Sequence, residues 1–173
     1  MALAGPSGLL FYHVGSRFGD DTINQGESGT MSERGAPARF SSPGTMPRPY
    51  GYSQVVEITA GHPVYISGQV PLDTNNQVVG VGDFAAQTRQ AFENVRLALE
   101  SVGLTFAHVV KIQMFLTDIA NLPAIRDIRD EYVNTEQPPA STTVQVAALF
   151  HPDVLFEIDA IAYAPGERNQ SAQ

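Results

Sequence analysis

The chain has 173 residues, 43% of them apolar and 16% charged, which is the texture of a folded domain large enough for its own core. A formal charge of −8, with Lys111 as the single lysine and nine scattered arginines, argues against a nucleic-acid or anionic-membrane surface, because both need clustered cations. The lack of cysteine excludes disulfides, thiolate nucleophiles and Cys-ligated zinc and fits a cytoplasmic protein, and no apolar run approaches the roughly 20 residues of a membrane span.

Residues 1–48 hold eight of the fifteen glycines, with Pro, Ser and Asp interspersed and no sustained periodicity. They read as a flexible N-terminal extension, which Leu9, Leu10, Phe11 and Tyr12 could settle on the surface. The first residues lack a basic region and a cleavage pattern, so no signal peptide is read there. Met31 is an alternative natural start.

The ordered domain is expected over residues 49–165, followed by a polar tail, 166–173. Residues 54–59 (QVVEIT) and 64–67 (VYIS) flank the turn Gly61-His62-Pro63 and read as a short antiparallel hairpin. Asp83 is a fitting N-cap for a helix over residues 84–102. Phe84, Thr88, Ala91, Phe92, Val95, Leu99 and Val102 lie on one stripe of that helix, and Gly103 suits the left-handed closing position. Residues 109–116 (VVKIQMFL) are mostly apolar and read as a central strand. Asn121 and Pro123 open a second helix whose buried side carries Ile125, Ile128 and Tyr132, and which ends before Gln137-Pro138.

Residues 138–162 then read as two strands joined by a turn. In the second, Phe156, Ile158, Ala160 and Ala162 alternate with Leu155, Glu157, Asp159 and Ile161. One face therefore covers a core while the other carries two carboxylates between apolar neighbours. A carboxylate so placed is costly unless it is paired, hydrogen-bonded or in a wet cleft, which marks this strand as the first place to look for a site. The order β-β-α-β-α-β-β, with one apolar stripe per helix, predicts an α+β fold with two helices on one face of a mixed sheet. Self-association is the simplest cover for the other face.

Several segments in register resemble the RidA/YjgF family: Tyr52-Ser53-Gln54, Ile66-Ser67-Gly68-Gln69-Val70-Pro71, Gln87 and Asn94, Val109-Val110-Lys111 with Phe115-Leu116-Thr117-Asp118, Pro139-Ala140 with Thr143-Val144-Gln145-Val146, and Glu157-Ile158-Asp159-Ala160-Ile161-Ala162. The resemblance spans residues 49–164. It implies a chorismate-mutase-like fold and a homotrimer with clefts between subunits, in which a small metabolite is deaminated by hydrolysis of an imine or enamine without a cofactor or metal. It also implies that Tyr52 lines the cleft, that the Ser67-Gly68-Gln69 turn contacts the substrate carboxylate, and that Glu157 handles water or the proton. Where the family's deaminases carry an arginine after Pro-Ala, Ala140 is followed by Ser141. A hydroxyl cannot replace a bidentate guanidinium, so a substrate other than 2-aminoacrylate, neutral or differently anchored, is expected.

Other readings of the same residues stay open. Ser141 has no His and Asp in a nucleophile arrangement, so it does not indicate a serine hydrolase. The histidines have no metal-ligand spacing, although His151, just before the Glu157 strand, could reach the cleft as an acid or base. Tyr50 competes with Tyr52, Asp159 fits a structural role, and the arginines at 89, 96, 126 and 129 fall on predicted polar helix faces, from which one could supply the missing charge. Gly80-Val81-Gly82 lacks the context of a dinucleotide loop. A non-catalytic small-molecule-binding trimer and a pathway-specific hydrolase or isomerase remain the alternatives to a deaminase.

Overall fold

The computed structural model describes residues 36–166; the readings of residues 9–12, of Met31 and of the tail past Gly166 lie outside them. The order β-β-α-β-α-β-β is found, preceded by one further strand. That strand, β1 (Ala38–Ser41), lies within the stretch read as an extension and pairs antiparallel with β2 (Val55–Ile58). Thr59 and Ala60 then donate backbone hydrogen bonds to Pro37 O at 2.9 and 3.3 Å. Its weak four-residue alternation, Ala38-Arg39-Phe40-Ser41, was too short to stand out against the Gly- and Pro-rich surroundings.

The main sheet has four strands in the order β3-β6-β4-β5, from β3 (His62–Gln69), β4 (Val109–Leu116), β5 (Ala140–Gln145) and β6 (Phe156–Ala164). Two expected pairings differ. The hairpin expected between residues 54–59 and 64–67 is replaced by β1–β2 and β3–β6 pairing, because β2 finds its partner upstream. The two strands of residues 138–162 are not neighbours either: β4 lies between them, antiparallel to β6 and parallel to β5. β4 is internal, as its apolar run predicts.

Helix α1 (Phe84–Glu100) begins at Asp83, whose carboxylate accepts from Ala86 N at 3.0 Å. It closes with Leu104 N donating to Leu99 O and Gly103 N to Glu100 O, Gly103 standing at φ +74°. This pair of bonds is the Schellman closure that a left-handed glycine permits. Val102 leaves the expected stripe and is exposed. Helix α2 (Leu122–Arg129) starts after Asn121 with Pro123 in its first turn but is shorter than expected. Asn134 ends the segment by accepting from the N–H groups of Glu136 and Gln137, an alternative to further helix.

Both helices share one core with the sheet. Phe92, Val95 and Leu99 of α1 and Ile125 and Ile128 of α2 pack with Ile66, Ile112, Met114, Leu116, Phe156, Ile158 and Ala160. Phe92 stacks between Tyr132 and Phe156, with centroids 5.0 and 6.1 Å away. Gln87, fully buried, holds the turn before β6 to this core. Its Nε2 donates to Gly80 O and Asp153 O, and its Oε1 accepts from Leu155 N at 2.8 Å. Gln87→Ala leaves those backbone groups unpaired and is expected to cost about 2–4 kcal/mol, seen as a lower urea midpoint with unchanged slope.

The sheet's other face carries Tyr65 of β3, Glu157, Asp159 and Ile161 of β6, Lys111, Gln113 and Phe115 of β4, and Val144 of β5, as the register requires. Tyr65 is 74% and Val144 40% exposed. No helix among the described residues is long and apolar enough to cross a membrane.

Candidate active site

Apart from His151, the expected site residues fall into two groups at opposite edges of the sheet. The first is built by β3 and β6. A bulge between Ile66 and Gln69 shifts the register there, which turns the strand and frees Gly68 from regular pairing. The Glu157 carboxylate occupies the space a side chain at Gly68 would take: a Cβ there would collide with Oε1 and lie 3.0 Å from Cδ. Glycine is thus required by close approach. Gln69 Nε2 turns back onto Ser67 O at 3.1 Å, which fixes the turn. Gly68 and Gln69 also border an open cleft of about 630 Å³ against Gln90, Asn94 and Leu97 of α1.

Burial pushes the Glu157 carboxyl above the ordinary carboxylate range, and the neighbouring Asp159 charge pushes it the same way. Asp159, two residues on and on the same face, accepts from Gln113 Nε2 at 3.0 and 3.3 Å. Its carboxylate is tied across the ladder to β4, as a structural role requires. Lys111 shares this face; burial lowers its ammonium, the Asp159 charge opposes that, and its Nζ donates to Thr142 Oγ1 at 2.6 Å.

The second group lies at the β5 edge, on the helix side. Ser141 and Thr143, opposite Ile112 and Met114, border a cavity of about 240 Å³ with Tyr50, Tyr52, Met114, Leu122, Ile125, Arg126 and Arg129. Ser53 ties the tyrosine segment to the start of β5, its hydroxyl donating to Pro138 O at 2.6 Å and its N–H to Pro139 O at 3.2 Å. Tyr50 and Tyr52 therefore enter the cavity together. Ala140 opposes Lys111 and faces the other way.

His151 joins neither group. It borders a third cleft, of about 610 Å³, with Phe150, Asp153, Leu72 and Val78, and its Nδ1 accepts from Asp153 N at 3.2 Å. Arg129 is the residue that the polar-face reading missed: it is 6% exposed. The signal was available in its spacing, four residues after Ile125 on the buried stripe of α2. Among the described residues no cluster of His, Asp and Glu is arranged to hold a metal ion.

The family model described as Endoribonuclease L-PSP matches residues 45–164. A solved Yersinia pestis protein of the conserved Rid family is 33% identical, with a TM-score of 0.67, covering 75% of this chain and 100% of its own. The chain belongs to the RidA/YjgF family. Among its RidA/YjgF relatives, the 3-aminoacrylate deaminase RutC of Acinetobacter baylyi is 45% identical over 100 residues, 58% of this chain and 78% of that protein. The 2-iminobutanoate/2-iminopropanoate deaminase of Dermatophagoides farinae is 34% identical over 115 residues, 66% of this chain and 88% of that protein. The α+β fold of two helices on a mixed sheet agrees with the family, and the deaminase names place its known chemistry at C=N and enamine bonds.

Proposed function

We propose that this protein is a cofactor-independent hydrolase of the imine/enamine deaminase type, acting on a small metabolite in a cleft between copies of the chain. One observation carries the reading. The Glu157 carboxylate is held against Gly68 with its proton affinity raised, while the Tyr52–Ser141 cavity lies at the opposite edge of the same sheet. One chain cannot close these halves around one ligand; a ring of copies, the homotrimer of the family, can bring one copy's β3 edge to the next copy's β5 edge.

The chemistry needs one group to work in both directions. Glu157 takes a proton from water as its oxygen bonds to the carbon of the protonated imine and the C=N pair moves onto nitrogen, then gives that proton to the nitrogen of the resulting carbinolamine. The C–N bond breaks as Glu157 takes the hydroxyl proton and the C=O bond forms. One water is consumed, ketone and ammonia leave, and the carboxylate is regenerated when its proton passes to the ammonia as ammonium. A raised pKa suits both steps. The backbone around Gly68 would hold a substrate oxygen and Tyr52 would line the cleft.

Two relatives named for deamination of 3-aminoacrylate and of 2-iminobutanoate/2-iminopropanoate support this reaction class. Although the matching family model is described as an endoribonuclease, the charge of −8 with one lysine offers no cation cluster for RNA. A cytoplasmic location is part of the same reading, and the lack of cysteine is compatible with it.

Ammonia release from freshly generated 2-iminobutanoate and 3-aminoacrylate is the test. The wild-type protein should shorten the half-life of at least one. No acceleration on any amino-acid-derived imine would overturn the reading and favour a binding trimer.

A further inference from the structure

The cavity at the β5 edge contains a buried cation that the mechanism above does not use. Burying a guanidinium is costly unless its donors are satisfied. Arg129 donates through Nε and Nη2 to Asp130 Oδ1 at 2.8 and 2.6 Å, and its Nη1 has no hydrogen-bond partner among the described residues. The chain is shaped around this group. Gly51, at φ +72°, leaves the space that Nη2 fills, and a Cβ there would stand 3.5 Å from Nη1. Arg126, one turn earlier, borders the same cavity, and no Asp or Glu does. The remaining wall offers the hydroxyl-bearing Tyr50, Tyr52, Ser141 and Thr143 over an apolar floor of Met114, Leu122 and Ile125.

We infer that Arg129, supported by Arg126, anchors the carboxylate of a small substrate in this cavity, so that the cation comes from α2 and not from position 141. The ligand class is then a compact monoanion with a short apolar body, an imino or enamino acid. This rests on the deaminase reading for the reacting group, but not for anion binding. Asp130 presets the guanidinium and leaves Nη1 for the ligand, which suits a planar carboxylate.

The full chain is titrated with 2-oxobutanoate, a stable keto acid of the product class, and with 2-butanone, its neutral analogue. The Arg129 Nε–H resonance of the wild-type protein should shift with 2-oxobutanoate and not with 2-butanone. Arg129→Gln should weaken 2-oxobutanoate binding about ten- to hundredfold and leave 2-butanone unchanged, and Arg129→Lys should recover part of the loss. Should Arg129→Gln not fold, the wild-type resonance decides alone. Absent binding, binding without that shift, or equal affinity in a folded Arg129→Gln protein overturns the inference. Binding through Arg129 without turnover of any imine would overturn the deaminase reading and leave the anchor standing. Turnover indifferent to Arg129 would do the reverse.

Discussion

Glu157→Gln should reduce kcat/KM for imine hydrolysis by about 10²- to 10⁴-fold, the usual range for a positioned proton-transfer group, with KM little changed. Glutamine keeps the shape that fits against Gly68 but neither takes nor returns a proton. Its effect on stability has a defined sign. Burial first, and the Asp159 charge second, raise the carboxyl in the folded protein. The folded chain therefore binds this proton more tightly than the unfolded chain. The stabilisation is complete below the ordinary carboxylate value, about 4.3, and is lost as pH rises through the raised folded value. Glu157→Gln should thus flatten the pH dependence of stability in that window and leave the neutral-pH midpoint no lower than wild type. In the wild-type protein the acid limb of kcat/KM should sit above the ordinary carboxylate range, reporting deprotonation of the base.

The second large effect comes from the open sheet face. Ile161→Arg should convert the proposed trimer to a folded monomer without detectable turnover. Ile161 is half-buried and opposite Lys111 in the ladder, with the exposed Tyr65 on its other side. In one chain the new guanidinium reaches solvent, so the fold should survive with far-ultraviolet dichroism and urea midpoint near wild type. Between copies it would bury a second cation beside Lys111, which costs several kcal/mol. Light scattering reads the mass and ammonia release the activity. An Ile161→Arg protein that stays oligomeric would show that this face is not the assembly face, and an active monomer would show that the site does not need two copies.

Much of the fold was legible because period and punctuation agreed. Asp83 and Gly103 bracket α1 as their cap chemistry requires, and the alternation in β6 separates core from carboxylates. Pairing was less legible. β2 reads equally well toward β1 or β3, since a four-residue strand carries no register of its own and long-range partners decide. The same holds for β5 and β6, whose separation by β4 is a topological fact that neither strand encodes. At the site, the resemblance assigned Gly68 and Glu157 to one cleft, and the structure places the Glu157 carboxylate in the space beside Gly68. Arg129 was missed because an arginine among Asp127 and Asp130 looks like a solvated face, and only the cavity beneath Gly51 and Tyr52 explains its burial.

In the proposed assembly, each site takes Glu157 from one copy and the β5 edge from another. Subunit mixing tests it most directly. Glu157→Gln removes the base, and Ser141→Trp fills the opposite cavity, so each assembly alone should be inactive. When the two are unfolded together and refolded into mixed oligomers, about a quarter of the interfaces should regain both intact halves, and ammonia release should return to a comparable fraction of wild type. Mixed oligomers confirmed by mass spectrometry that stay inactive would contradict the claim.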